Sequence, residues 1–194
     1  IYIKGDEVDH DMILPRKSLN LLRSILPSEK SSEIKLEFNA SNAYFSFESV
    51  RMVCRLIDER YPDYDNVIPS DNTNLVTISK SEILGSLKRI SIYANKTTNQ
   101  VRLKITGSEI LMSAEDLDFS NEANERISCE HDGEDIEIGF NAKFLIELLS
   151  NIDSDKVILK LSEPNKAGLI IPDNVGENEE ITMLVMPVML NDNV

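Results

Sequence analysis

The chain has 194 residues, with 20 Lys and Arg against 34 Asp and Glu, a formal charge of −14. Hydrophobic residues make up 41% and charged residues 28%, which excludes a disordered chain, and seven Gly and seven Pro exclude collagen-like and low-complexity sequence. No apolar run approaches the ~20 residues of a membrane helix, no signal peptide follows the initial Ile, and Cys54 and Cys129 lack metal or disulfide spacing. These features predict a cytoplasmic protein with reduced thiols, and a chain trimmed from something longer.

In chain order, a helix is predicted over Pro15 to Ile25, with Pro15 in its first turn, Leu19, Leu22 and Leu26 on one face, and Pro27 as its stop. Arg16, Asn20 and Arg23 share another face. Ile34, Leu36 and Phe38 alternate with Lys35 and Glu37, the pattern of a half-buried strand, and strands follow at Tyr44–Glu48 and Val50–Ile57. The Pro- and Asn-rich stretch 62–74 reads as a domain boundary, giving domains 1–70 and 71–194. A second helix opens with the capping box Ser79-Lys-Ser-Glu82 and buries Ile83, Leu87, Ile90 and Ala94. Strands follow at Val101–Ile105 and Glu109–Ala114, and Asp132-Gly133 predicts a hairpin joining Arg126–Glu130 to Ile136–Phe140. Asn141 caps a third helix with Phe144, Leu145, Leu148, Leu149 and Ile152, and strands follow at Val157–Leu161, Gly168–Ile171 and Ile181–Met186. Three helix-then-strands units predict an α+β fold, antiparallel sheet with helices on one face. One unit precedes the boundary, as half of a two-unit domain.

Charge is uneven along the chain. Residues 71–108 carry six basic and two acidic side chains, whereas residues 109–137 carry one and eleven. The basic island either meets phosphates locally or pairs with the acidic stretch beside it. Arg16, Lys17 and Arg23 on the first helix, and Lys80, Lys88 and Arg89 on the second, suit sequence-independent phosphate contact. The run Met183-Leu-Val-Met-Pro-Val-Met-Leu190 is both a last core strand and a polarisable binding seam.

No P-loop, G-x-S-x-G or G-x-G-x-x-G occurs, and the acid pairs Glu115/Asp116 and Glu179/Glu180 sit in polar loops with nothing to desolvate them. The cluster Glu130-His-Asp-Gly-Glu-Asp135 reads as a solvated turn before it reads as a metal site. No catalytic centre, metal or cofactor is expected.

Ile13-Leu-Pro-Arg-Lys17, Tyr61-Pro-Asp-Tyr-Asp-Asn-Val-Ile-Pro69, Ile138-Gly-Phe-Asn141 and Val185-Met-Pro-Val-Met-Leu190, in this order and spacing, resemble the beta sliding clamp family, the processivity subunit of bacterial DNA polymerase III. The resemblance implies the DNA-clamp fold and a non-enzymatic ring that encircles duplex DNA. The chain would supply the back half of the middle domain (1–70) and the complete C-terminal domain (71–194). It implies that Arg16, Lys17, Arg23, Lys80 and Lys88 face DNA. It also implies a hydrophobic pocket for linear motifs of the replicative polymerase, clamp loader and repair proteins, formed here by Pro62, Asn66, Val67, Gly168, Leu184, Val185, Met186, Pro187, Val188 and Met189. Asn66 and Met189 stand where some relatives carry arginine. Ile92 and Tyr93 would serve a head-to-tail homodimer of the full-length protein, and this chain alone is expected not to close a ring. The alternatives are a peptide-binding adaptor that does not encircle DNA and a metal-dependent hydrolase using the Glu130–Asp135 cluster.

Overall fold

A computed structural model describes residues 11–26, 33–176 and 179–190. The chain forms two compact units, Ile1–Asp63 and Tyr64–Val194. Pro27, expected to stop the first helix, lies outside the described residues.

In the first unit, helix α1 (Arg16–Ile25) precedes a three-stranded antiparallel sheet of β1 (Lys35–Phe38), β2 (Asn42–Phe47) and β3 (Val50–Arg55), in the order β1-β2-β3. Pro15 is the N-cap of α1 rather than its first residue, and offers no capping side chain. The core is small. Ala43, Phe45, Met52 and Cys54 form a buried cluster with Leu14, Leu22 and Leu56 packed against it, and Phe47 is buried beyond it. Two expectations are corrected here. Leu19 is exposed, because only Leu22 of α1 reaches the cluster, and β1 is exposed along its whole length rather than half-buried. β1 is an edge strand, and its apolar residues extend beyond the few core side chains that this sheet supplies.

The second unit has one continuous core under two helices and two sheets. β4 (Asn74–Ser79) leads into α2 (Lys80–Ile90), a 3-10 turn (Ser91–Tyr93), β5 (Gln100–Thr106), β6 (Glu109–Asp116), β7 (Asn121–Ser128) and β8 (Glu130–Asp132). β9 (Ile136–Asn141) leads into α3 (Ala142–Ser150), β10 (Lys156–Leu161), β11 (Gly168–Pro172) and β12 (Met183–Val185). Each half therefore opens strand, helix, with four strands following in the first half and three in the second. The sheets run β12-β11-β10-β4-β8 and β7-β6-β5-β9, so the opening strand of each half pairs with the first post-helix strand of the other. Each half also closes on its own opening strand: β8 pairs with β4, and Val188 bridges Gly139 on β9.

The expected caps are present. Ser79 accepts from the Glu82 N–H at 3.4 Å and Asn141 from the Lys143 N–H at 3.0 Å. Ile83, Leu87, Ile90 and Ala94 are buried, as are Leu145 and Leu149 of α3. The expected hairpin between Arg126–Glu130 and Ile136–Phe140 does not form. β7 pairs along eight residues with β6, while β9 pairs with β5 at the opposite side of that sheet. Pairing β9 with β5 buries Ile136, Ile138 and Phe140, and the Asp132-Gly133 turn instead carries the chain from one sheet to the other. The actual β6–β7 turn, Leu117–Ser120, contains no glycine and places Ser120 at φ +51°, a conformation that Gly or Asn usually supplies.

Candidate functional site

Three surfaces carry the residues singled out in the sequence. The first comprises cations on helices. Arg16, Lys17 and Arg23 of α1 are all exposed. Arg16 and Lys17 occupy the first turn, which holds no acid, at the positive end of the helix dipole. Cations there cost a few tenths to ~1 kcal/mol each, so helix stability does not explain them. On α2, Lys88 is exposed and makes no ion pair among the described residues. Lys80 is half-buried and its ammonium donates to Ile152 O at 2.8 Å, leaving two of its three protons for other acceptors.

The rest of the basic island is largely spent internally. The Arg89 guanidinium grips Glu125 through Nε–Oε1 and Nη2–Oε2, both 2.7 Å, and Arg102 pairs with Glu137. The island thus divides: part neutralises the acidic stretch, and Lys88 stays free of it. The Glu130–Asp135 cluster is likewise structural. His131 lies with Nε2 2.6 Å from Asn74 Oδ1 and Nδ1 3.2 Å from Gly107 O. Glu130 pairs with Lys156 at 2.9 Å. The described residues contain no group of three or more His, Cys, Asp or Glu arranged to hold a metal ion.

The second surface is the C-terminal seam. Val185 is buried opposite Gly168, whose missing side chain leaves room for Leu161, Phe140 and Val185. These two residues back the surface rather than line it. Leu184, Pro187 and Val188 are half-buried, and Met186 and Met189 are 57% and 75% exposed. Beyond β12 the tail crosses to β9, where Val188 N–H donates to Gly139 O at 2.8 Å. A Cβ at Gly139 would meet Val188 O and Leu190 Cδ2, both at 2.7 Å. Gly139 therefore seats the tail. It stands inside the Ile138–Asn141 segment quoted above, but a lone strand glycine gives no clue to what approaches it.

Asn66 and Val67 are exposed, in a turn closed by Val67 N–H to Tyr64 O at 3.0 Å. Residues that follow are anchored: Asn72 donates to Lys160 O and Ala167 O, both at 2.9 Å, and Asp71 pairs with Lys166 at 3.2 Å. Pro62 is exposed near the end of the first unit. A separate cleft of about 440 Å³ lies over Gln100, Arg102, Glu115, Leu117 and Glu122, and none of the residues singled out for a peptide pocket lines it.

The third surface surrounds Ile92 and Tyr93, which are 66% and 43% exposed on the 3-10 turn after α2. β7 lies against this turn, and as the outermost strand of its sheet it presents an open hydrogen-bonding edge eight residues long. The mistaken hairpin hid this edge in the sequence.

Residues 65–189 match the family model described as DNA polymerase III beta subunit, C-terminal domain, and residues 1–63 match the model described as its central domain. The beta sliding clamp of Pseudomonas putida is 29% identical over 185 residues, covering 93% of this chain and 48% of that protein. Solved structures of the same family are similar, two of them as follows. One, a sliding clamp (DNA polymerase III subunit beta) from Pseudomonas aeruginosa bound to griselimycin, has a TM-score of 0.86 and 26% identity over 93% of this chain and 48% of that one. The other, a DNA polymerase III beta subunit from Thermotoga maritima, has a TM-score of 0.85 and 25% identity over 92% and 48%. The chain spans about half the length of the curated relatives it matches.

Proposed function

Because the chain belongs to the DNA polymerase III beta-subunit family, we propose that it works as part of a processivity clamp, a ring around duplex DNA that tethers the replicative polymerase. The observation that carries this reading is the joint match of both units, in order, to the central and C-terminal domains of one family. In this reading residues 1–63 come from the second half of the middle domain and residues 64–194 belong to the C-terminal domain.

Arg16, Lys17, Arg23, Lys80 and Lys88 contact phosphates without reading bases. Topological enclosure makes tight binding unnecessary, and weak contacts that salt screens readily allow sliding. Exposed cations in the first turn of α1, where the dipole opposes them, and the exposed Lys88, unpaired among the described residues, support that role. The seam at Leu184–Met189, with Gly168 behind it and Asn66 and Val67 as further contributors, takes short apolar peptide motifs from polymerase, clamp loader and repair proteins. The exposed Met186 and Met189 supply adaptable apolar surface for them. Ile92, Tyr93 and the open edge of β7 serve head-to-tail pairing of full-length subunits. The clamp works in the cytoplasm, with no reaction, metal or cofactor of its own.

Lys17→Glu with Lys88→Glu in the full-length subunit tests this. The variant is expected to load and slide poorly on DNA while binding polymerase peptides as before. Unchanged loading and sliding would reduce the protein to a peptide-binding adaptor.

A further inference from the structure

β7 is an unusual edge strand. Its inward-facing positions are Ala123, Glu125 and Ile127, so a carboxylate stands in the middle of an otherwise apolar series, opposite the fully buried Met112 of β6. A carboxylate on that side is costly unless it is paired and hydrogen-bonded. Glu125 is both. Arg89 holds it through two bonds of 2.7 Å, and the buried Ser86 hydroxyl donates a third, also 2.7 Å. Both partners are set by α2: Ser86 and Arg89 are three residues apart and so share a face. Gly85 leaves the adjacent space open, since a Cβ there would stand 3.3 Å from Arg89 Nη1. An apolar residue at 125 would also fill the site, but it would give no directional bond to α2. A planar two-bond ion pair fixes one position.

We propose that Ser86, Arg89 and Glu125 form a clasp that locks edge strand β7 onto helix α2 and so fixes the register in which the open side of β7 meets a strand of a second subunit. The clasp itself stands on the contacts within this chain. Its consequence for pairing rests on the head-to-tail reading above. Arg89 directly follows Lys88, so the same helix presents a free cation outward and holds the pairing edge through its neighbour. These are positioning residues, because none of them needs to touch the partner.

The test uses Glu125→Gln and Arg89→Ala, separately and together, with Arg126→Ala as control. Arg126 ties β7 to Glu109 at 2.7 Å through an exposed pair, outside the clasp. In this chain, amide hydrogen exchange across residues 121–128 is expected to quicken about tenfold in either clasp variant, the equivalent of ~1.4 kcal/mol, while β5 and β9 are unchanged. The double variant is expected to add little to either single one, and the control is expected to leave β7 as it was. Unchanged exchange in β7, or an equal rise in every strand, overturns the clasp. The same substitutions in the full-length subunit are then followed by dilution-driven dimer dissociation, read by mass, together with the melting temperature. Faster dissociation at an unchanged melting temperature supports the register role. A loosened β7 with unchanged dissociation leaves the clasp in place and overturns its link to subunit pairing.

Discussion

Gly139→Ala separates the tail from the core more cleanly than any truncation. Within β9 alone the substitution favours the strand, since Ala loses roughly 0.5–1 kcal/mol less backbone entropy than Gly. The tail reverses the sign locally. The new Cβ would lie 2.7 Å from Val188 O, a backbone atom that moves only if the tail moves. Displacing the tail forfeits the Val188 N–H to Gly139 O bond, worth ~0.5–1.5 kcal/mol. It also exposes part of the half-buried Val188 and Leu190 side chains, at roughly 1 kcal/mol together. The tail is then expected to open ~2–3 kcal/mol more easily, which quickens exchange of the Val188 amide by roughly 30- to 150-fold. Amides of β5 and β6 should not change, and the melting temperature should hold or rise slightly. Hydrogen exchange read by mass spectrometry or NMR resolves both. Unchanged protection at Val188 would refute the idea that Gly139 seats the tail.

Other outcomes follow from the charges and from the core. The guanidinium of Arg89 and the hydroxyl of Ser86 hold the Glu125 carboxyl down to about 2. Because the folded value lies below the unfolded one, the contribution of this group is complete above about pH 4.5 and disappears as pH falls through about 2. A carboxyl titration of Glu125 followed by NMR is expected to show a midpoint near 2, and a midpoint at the ordinary carboxylate value would contradict the pairing. Lys88→Glu in the full-length subunit is expected to lower the steepness with which DNA affinity falls with salt by about one phosphate contact, a change of ~0.9 in the logarithmic slope. An unaltered slope would remove Lys88 from the DNA face. Exchange in β2 and β3 is expected to exceed that in β5 and β6 by ~100-fold or more, because five buried side chains hold the described part of the first unit while one large core holds the second. Equal protection would show that the small core is not what limits the first unit.

Much of this architecture was legible in the residues. The Ser79 half of the capping box, the Asn141 cap, the period of the α2 and α3 apolar faces and the alternation of Val101–Ile105 all correspond to what the chain forms. The resemblance drawn from four short segments named the family and the fold that the family matches and the similar structures support. What was illegible depended on partners distant in sequence. β4 went unread because Leu75–Ile78 is a short alternation lying between a boundary and a helix, and only pairing with β10 makes it a central strand. Asp132-Gly133 is a sound turn signal, but periodicity cannot say which strands a turn joins when the chain changes sheets there. The β6–β7 turn carries no glycine, so the longest hairpin of the second unit had no punctuation.

The candidate surfaces were legible to different degrees. Residue type and helix position identified the cations, but not that Arg89 and Lys80 are engaged internally while Lys88 is not. The Met-rich run was visible as a seam, whereas its seat on Gly139 depends on the tail returning to β9. Glu125 looked like one acid among eleven, and only its inward position on β7 distinguishes it.

The full-length subunit is proposed to hold DNA by enclosing it, and this chain spans about half the length of the relatives it matches. The most direct measurement loads that subunit onto circular DNA, removes the loader, and compares retention before and after a single restriction cut. Persistent retention on the circle and prompt loss on linearisation is the predicted result. Equal loss from both forms would contradict enclosure.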